Sequence, residues 1–169
     1  MKLLPTLLAT ALIGVSIGAS PHVWAHGEEA HAKKAGPVKK EQKAWGIAGD
    51  AKAVSRTVTF AMSDAMRFTP DKIEVKQGDT IKFVIQNGGK LLHEMVIGTH
   101  KELDEHAALM VKFPNMEHEE PYMAHVPAGK TGEIIWTFNK PGDFEFACLV
   151  AGHYQGGMTG KIKVIASAK

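Results

Sequence analysis

The chain has 169 residues, and its 20 basic and 18 acidic residues give a formal net charge of +2 at pH 7. Hydrophobic residues make up 44% and charged residues 22%, which is the balance of an ordinary globular domain. This composition excludes a collagen-like chain, a wholly disordered chain and a polytopic membrane protein, and the small net charge predicts no nucleic-acid partner. The chain has nine His and eight Met but a single cysteine, Cys148, so an intramolecular disulfide cannot form.

The first 25 residues predict an export signal. Lys2 supplies the positive charge, residues 3–19 are largely apolar, and Val23-Trp24-Ala25 matches a small-x-small cleavage site. The apolar run is shorter than the roughly 20 residues that a spanning helix needs. We therefore expect cleavage after Ala25 and a monomeric periplasmic protein with no membrane span.

Residues 26–53 predict a flexible tail that contains His and Lys, with Trp45 and Ile47 docking on the domain that follows. The domain itself is expected over 54–169, where short stretches of alternating apolar residues are separated by turn signals. The alternating stretches are 54–62, 73–75, 80–87, 93–97, 131–138, 143–148 and 159–165. This pattern predicts an all-β sandwich or barrel.

One helix is predicted between the strands. Thr99 and Glu102 have the spacing of a capping box, and Leu103, Ala107 and Met110 recur at helical spacing. The segment ends near 113–114, and the stretch 114–128, which contains three prolines, is expected to be a loop. His100 and His106 on this helix do not share a face and are interpreted as surface residues.

The segment 148–158 carries the clearest chemical signal. Cys148, His153 and Met158 follow one another as C-x4-H-x4-M, with three glycines that let the loop fold tightly. A thiolate, an imidazole and a weak thioether suit copper that cycles between Cu(I) and Cu(II). A trigonal site needs a second imidazole, and His93 at the start of a strand is the candidate.

With these residues the chain resembles the cupredoxins, the family of plastocyanin, azurin, rusticyanin and auracyanin. The resemblance covers about 54–166, through the pattern F-x-P at 68–70, I-x-V-x-x-G-D-x-I-x-F at 73–83, and the 148–158 loop. It implies a Greek-key β-sandwich with one type 1 copper, for which His93, Cys148 and His153 match the equatorial ligands and Met158 the axial ligand. In several family members an Asn that ties the two ligand loops together follows the first His. Here that position is Glu94, which leaves the side-chain tether open.

Two further groups of residues could bind copper as accessory sites. Met116 with His118, and Met123 with His125, form two M-x-H pairs in which thioether and imidazole groups stand close together. The alternative is that these sulfurs only pack against the sandwich. After cleavage, His26 would offer its α-amine and its imidazole to Cu(II), with His31 nearby; the alternative is a solvated tail.

The long insert and the His- and Met-rich character also resemble the exported cupredoxins associated with bacterial copper tolerance. This resemblance implies a copper-binding protein that acts in copper homeostasis and tolerance through a redox-active mononuclear centre. The alternative function is a dedicated electron shuttle between respiratory partners, which would require a redox protein as partner. An enzyme is not expected, because there is no H-x-H pair and a binuclear copper centre of the cytochrome oxidase kind needs two cysteines.

Overall fold

The computed structural model describes residues 40–114, 116 and 118–167, which form two five-stranded sheets and one α-helix. The first sheet has the order β1 (Ile47–Ala48), β8 (Thr131–Thr137), β5 (Thr80–Asn87), β2 (Arg56–Ser63), β3 (Arg67–Thr69). The second has the order β4 (Lys72–Lys76), β10 (Thr159–Ile165), β9 (Gly142–Ala147), β6 (His93–Gly98), β7 (Met123–Val126). The pairs β2–β5 and β4–β10 are parallel, and the other pairs are antiparallel. The predicted all-β sandwich with one inserted helix is confirmed.

An aromatic cluster fills the space between the sheets. Phe60 of β2 packs on Phe83 of β5, and the edge of Phe146 of β9 meets Phe60 with ring centroids 5.1 Å apart. All three side chains are fully buried. Alternate residues of each strand point to the same face, and these three lie on the faces that the two sheets turn toward each other. Burial of this apolar surface is the main favourable contribution to folding.

Helix α1 (His100–Lys112) lies against the second sheet and begins as the sequence predicts. The Thr99 side chain accepts the N–H of Glu102, so Thr99 is the N-cap. Leu103, Ala107 and Met110 form the buried face of the helix, in one cluster with residues of β6 and β9.

The chain joins the sandwich before residue 54. Trp45 is only 3% exposed, its carbonyl accepts the indole N–H of Trp136, and β1 pairs with β8. The end of the segment expected to be a flexible tail is therefore part of the domain. The signal segment 1–25 and the tail residues His26 and His31 lie outside the described residues.

The expected loop over 114–128 contains a strand, so that part of the prediction was wrong. Residues 123–126 form β7, which pairs with β6. In the sequence, Pro121 precedes this strand and Pro127 follows it. The strand is short, and its four residues gain their partner only from the tertiary fold, so local sequence signals did not reveal it. Within the described residues, no helix is long and apolar enough to cross a membrane.

Candidate metal centre

The loop 88–92 delivers His93 to one end of the sandwich. Asn87, at the end of β5, donates its side-chain amide to the carbonyls of Leu91 and Val126, both at 2.8 Å, and accepts the N–H of Gly89. These bonds fix the loop between β5 and β6, so that β6 begins with the fully buried His93.

The loop 149–158 connects Cys148, after β9, to β10. The N–H of Cys148 donates to the carbonyl of Met158, and the N–H of Met158 donates to the carbonyl of His153. Gly152 and Gly157 adopt positive φ angles of 88° and 85°, which glycine accommodates without strain. This compact turn brings His153 back beside the sulfur of Cys148.

Three side chains converge at this end of the sandwich. The Sγ atom of Cys148 lies 3.3 Å from Nδ1 of His153 and 3.9 Å from Nδ1 of His93. One ligand atom from each of the three lies within 4.8 Å of the others. A thiolate and two imidazoles are the equatorial donor set of a mononuclear copper site, so these residues fit copper.

Burial is the main cause of the pKa shifts of Cys148 and His153. Burial raises the pKa of the Cys148 thiol to about 12, and the N–H of Glu94, which donates to the sulfur at 3.4 Å, partly opposes this shift. Burial and the neighbouring His93 lower the pKa of His153, so this imidazole remains neutral and able to bind a metal at neutral pH. A bound ion would displace the thiol proton.

Met158 belongs to the same region. Its side chain is fully buried in the core cluster that includes Cys148, and its carbonyl accepts the N–H of that cysteine. Its assignment as the axial ligand remains a prediction.

Glu94 supplies a tether between the two ligand loops. Its Oε1 atom accepts the N–H of Leu149 at 2.8 Å, next to Cys148, and its Oε2 atom lies 2.9 Å from Nε2 of His125. Glu94 is 1% exposed, and its side chain lies on the opposite face of β6 from that of His93, because successive strand residues alternate between faces. The side-chain tie that the sequence left open is therefore present, with a carboxylate in place of an amide.

Asp64 contacts the other side of His93. Its Oδ1 atom lies 3.2 Å from Nε2 of the imidazole. The N–H of Lys90 is the main cause that holds the pKa of Asp64 below its ordinary value, and the N–H of Leu91 also contributes. Sequence reasoning missed Asp64, because the contact joins two turns that are distant in sequence.

The structure separates the residues of the two M-x-H pairs. Met123 is buried beneath α1, whereas Met116 is exposed. The ring centroids of His118 and His125 lie 6.2 Å apart, and the ring centroid of His106 in α1 lies 4.6 Å from that of His118. His106, interpreted from the sequence as a surface residue, is half-buried and lies in the same group of rings.

Comparison with known proteins agrees with this geometry. Residues 54–165 match the family model of copper binding proteins of the plastocyanin/azurin family. The chain therefore belongs to the plastocyanin/azurin family of copper-binding proteins, which confirms the resemblance and copper as the cofactor.

Within this family, the chain is similar to two proteins described as copper-resistant cuproprotein CopI. The protein from Rubrivivax gelatinosus is 49% identical over 120 residues, which cover 71% of this chain and 73% of the relative. The protein from Pseudomonas aeruginosa is 33% identical over an alignment 194 positions long, which covers 96% of this chain and 97% of the relative.

Solved structures agree on the fold. Reduced auracyanin from Roseiflexus castenholzii superposes with a TM-score of 0.57 at 20% identity, over 66% of this chain and 98% of that one. Auracyanin B gives a TM-score of 0.57 at 16% identity, over 74% of this chain and 97% of that one.

Proposed function

We propose that this chain is an exported periplasmic protein that acts in copper homeostasis and tolerance through a redox-active copper centre. The observation that carries the proposal is the convergence of Cys148, His93 and His153 at the end of a cupredoxin sandwich. Copper held by a thiolate and two imidazoles can accept and return one electron. The relatives named copper-resistant cuproproteins support tolerance as the role.

The three residues of the centre differ in their exposure to solvent. Cys148 and His93 are fully buried, which excludes water from the sulfur. His153 is partly exposed, so electrons would pass between the centre and a redox partner through its ring. Glu94 and its bond to Leu149 hold the cysteine strand against β6.

A second group of side chains supports copper handling rather than electron transfer alone. We propose that copper is held transiently at His118, whose ring centroid lies 4.6 Å from that of His106 and 6.2 Å from that of His125, on the outer face of the second sheet. The Nδ1 atom of His118 lies 3.3 Å from the carbonyl of Met116, and its buried Nε2 atom has no hydrogen-bond partner among the described residues. A ring that donates from Nδ1 has a lone pair on Nε2 for a metal.

The protonation of His106 also fits this role. Burial, followed by the nearby ring of His118, lowers the pKa of His106. A neutral imidazole at physiological pH is available as a ligand for a copper ion carried as cargo. The His26 and His31 pair would extend this capacity and remains a proposal from the sequence.

The second candidate function is a dedicated electron shuttle. The exposed side chains of Leu91 and Leu92 precede His93 and offer an apolar surface close to the centre. This surface favours docking of a redox protein. In both functions the chain binds copper and carries electrons, and we propose no enzymatic reaction on another substrate.

A copper titration of the chain that starts at His26 tests the centre. We expect an intense visible band that saturates at one equivalent of Cu(II) and is absent in Cys148→Ser. No intense band in the unmodified chain would mean that the copper–thiolate assignment is wrong.

The same titration tests copper binding at His118. We expect uptake beyond one equivalent, reduced in His118→Asn but retained in His100→Asn, a control at a histidine whose side chain is 69% exposed. In cells lacking the gene, His118→Asn should restore copper tolerance less well than the unmodified chain. Full tolerance with His118→Asn, together with loss of a respiratory activity when the gene is removed at low copper, would favour the shuttle.

A further inference from the structure

We infer that Asp64 is a positioning residue for the copper ligand His93. Its carboxylate holds the Nε2–H of the imidazole, so that the lone pair of Nδ1 points toward Cys148. The inference rests on the copper assignment at His93, Cys148 and His153 made above.

The two nitrogens of the His93 ring have different surroundings. Nε2 lies 3.2 Å from Oδ1 of Asp64, whereas Nδ1 lies 3.9 Å from Sγ of Cys148. A neutral imidazole carries one N–H, and an ionised carboxylate can only accept a hydrogen bond. The proton is therefore held on Nε2, and Nδ1 is free to bind the metal.

The carboxylate of Asp64 is itself fixed in place. Its Oδ2 atom accepts the N–H of Lys90 at 2.8 Å, and its Oδ1 atom accepts the N–H of Leu91 at 3.3 Å. A Cβ atom at Gly89 would overlap this carboxylate, so only glycine lets the loop approach so closely. Hydrogen bonds to Asp64 thus hold the loop that precedes His93.

Asp64 also joins the two sheets at the metal end. It lies in the turn between β2 and β3 of the first sheet, whereas His93 begins β6 of the second. The residue that follows this turn contacts the other ligand loop, because Nη1 of Arg67, the first residue of β3, donates to the carbonyl of Gly156 at 2.9 Å. The turn and Arg67 therefore orient the first ligand and brace the loop that carries the others.

The anionic acceptor has a chemical consequence for the ligand. It strengthens His93 as a donor, and a stronger anionic environment favours Cu(II) over Cu(I). The Asp64 side chain is 37% exposed, so solvent screens its direct charge and the hydrogen bond is the main route of its effect. Outer partners of this kind typically change metal affinity by about 10-fold to 100-fold.

Two variants test the inference. Asp64→Asn removes the charge, and Asp64→Ala removes the acceptor. We expect Asp64→Ala to lower Cu(II) affinity by about 10-fold to 100-fold and Cu(I) affinity by less, and we expect Asp64→Asn, whose amide oxygen can still accept the Nε2–H, to lower both affinities less than Asp64→Ala does. The reduction potential should rise by about 59 mV for each tenfold difference between the Cu(II) and Cu(I) losses.

Asp79→Asn is the matched control. Asp79 also accepts a backbone N–H, from Lys76 at 2.9 Å, but it precedes β5, at the opposite end of that strand from Asn87. This variant should keep both copper affinities and the potential of the unmodified chain. Equal affinities and potential in Asp64→Ala and the unmodified chain would overturn the inference.

Two readouts separate the possible failures. The Asp64 variants should retain the intense copper–thiolate band that Cys148→Ser loses; a missing band in the unmodified chain would defeat the copper assignment itself. Nitrogen-15 NMR of the His93 ring in the metal-free unmodified chain needs no variant to fold. It should show the proton on Nε2, and a proton on Nδ1 would overturn the role of Asp64.

Discussion

Replacing Glu94 with Ala should destabilise the metal-free domain by about 1–3 kcal/mol. Glu94 is 1% exposed, and its Oε1 atom accepts the buried N–H of Leu149 at 2.8 Å. A buried donor that loses its acceptor costs about 1–3 kcal/mol. The change also removes the contact of Glu94 with His125 and a buried carboxyl group, and these two effects on stability oppose each other.

Urea unfolding of the metal-free chain measures this effect. Glu94→Gln keeps an oxygen that can accept the N–H of Leu149, but it weakens the contact with His125. It should therefore lower the free energy of unfolding by about 1 kcal/mol, the usual contribution of one hydrogen bond. Glu133→Ala is the control, because Glu133 is 53% exposed and pairs with Lys82 on the surface. It should change the free energy of unfolding by less than about 0.5 kcal/mol.

The outcome decides whether Glu94 holds the two ligand loops together. A free energy of unfolding for Glu94→Ala within about 0.5 kcal/mol of the unmodified chain would refute the tie. A more stable variant would mean that the cost of burying the carboxylate exceeds the value of its hydrogen bonds.

Three further changes probe other parts of the structure. Trp45→Ala removes a side chain that is 3% exposed and should lower the free energy of unfolding by about 3–5 kcal/mol; a loss below about 1 kcal/mol would mean that the segment before residue 54 adds little to the domain. Gly157→Ala places a Cβ at a φ of 85° and should cost about 1–2 kcal/mol by the same assay, whereas an unchanged midpoint would contradict the strain argument. Glu145 raises the pKa of His100, so the stabilisation by this ion pair is present below the ordinary pKa of 6.5 and is lost as the pH rises through the raised value. NMR titration should show a lower His100 midpoint in Glu145→Gln, and equal midpoints would contradict the pairing.

The fold was predictable wherever apolar residues alternate along the chain. Ile81, Phe83 and Ile85 alternate and are fully buried in β5, and the Thr99 cap sets the start of the helix. Such signals are local and depend only on the periodicity of one element. The short strand β7 gives no comparable signal, because four residues between prolines are too few to show a period.

Contacts between distant segments could not be predicted in this way. The role of Glu94 depends on the register that pairs it with His125, and that register is set by the packing of the whole sheet. His106 meets His118 only because α1 folds back onto the second sheet. Asp64 reaches His93 across the two sheets, so its position follows from the tertiary structure alone.

The outer strands of both sheets have a consequence for self-association. Among the described residues these strands are β1, β3, β4 and β7, with lengths of 2, 3, 5 and 4 residues. Short edges offer few unpaired backbone groups to a second chain, and Pro121 and Pro127 border β7. Strand addition is thus disfavoured at β1, β3 and β7, so clustering of this protein through these three edges would require side chains or shared ions rather than amyloid-like backbone pairing.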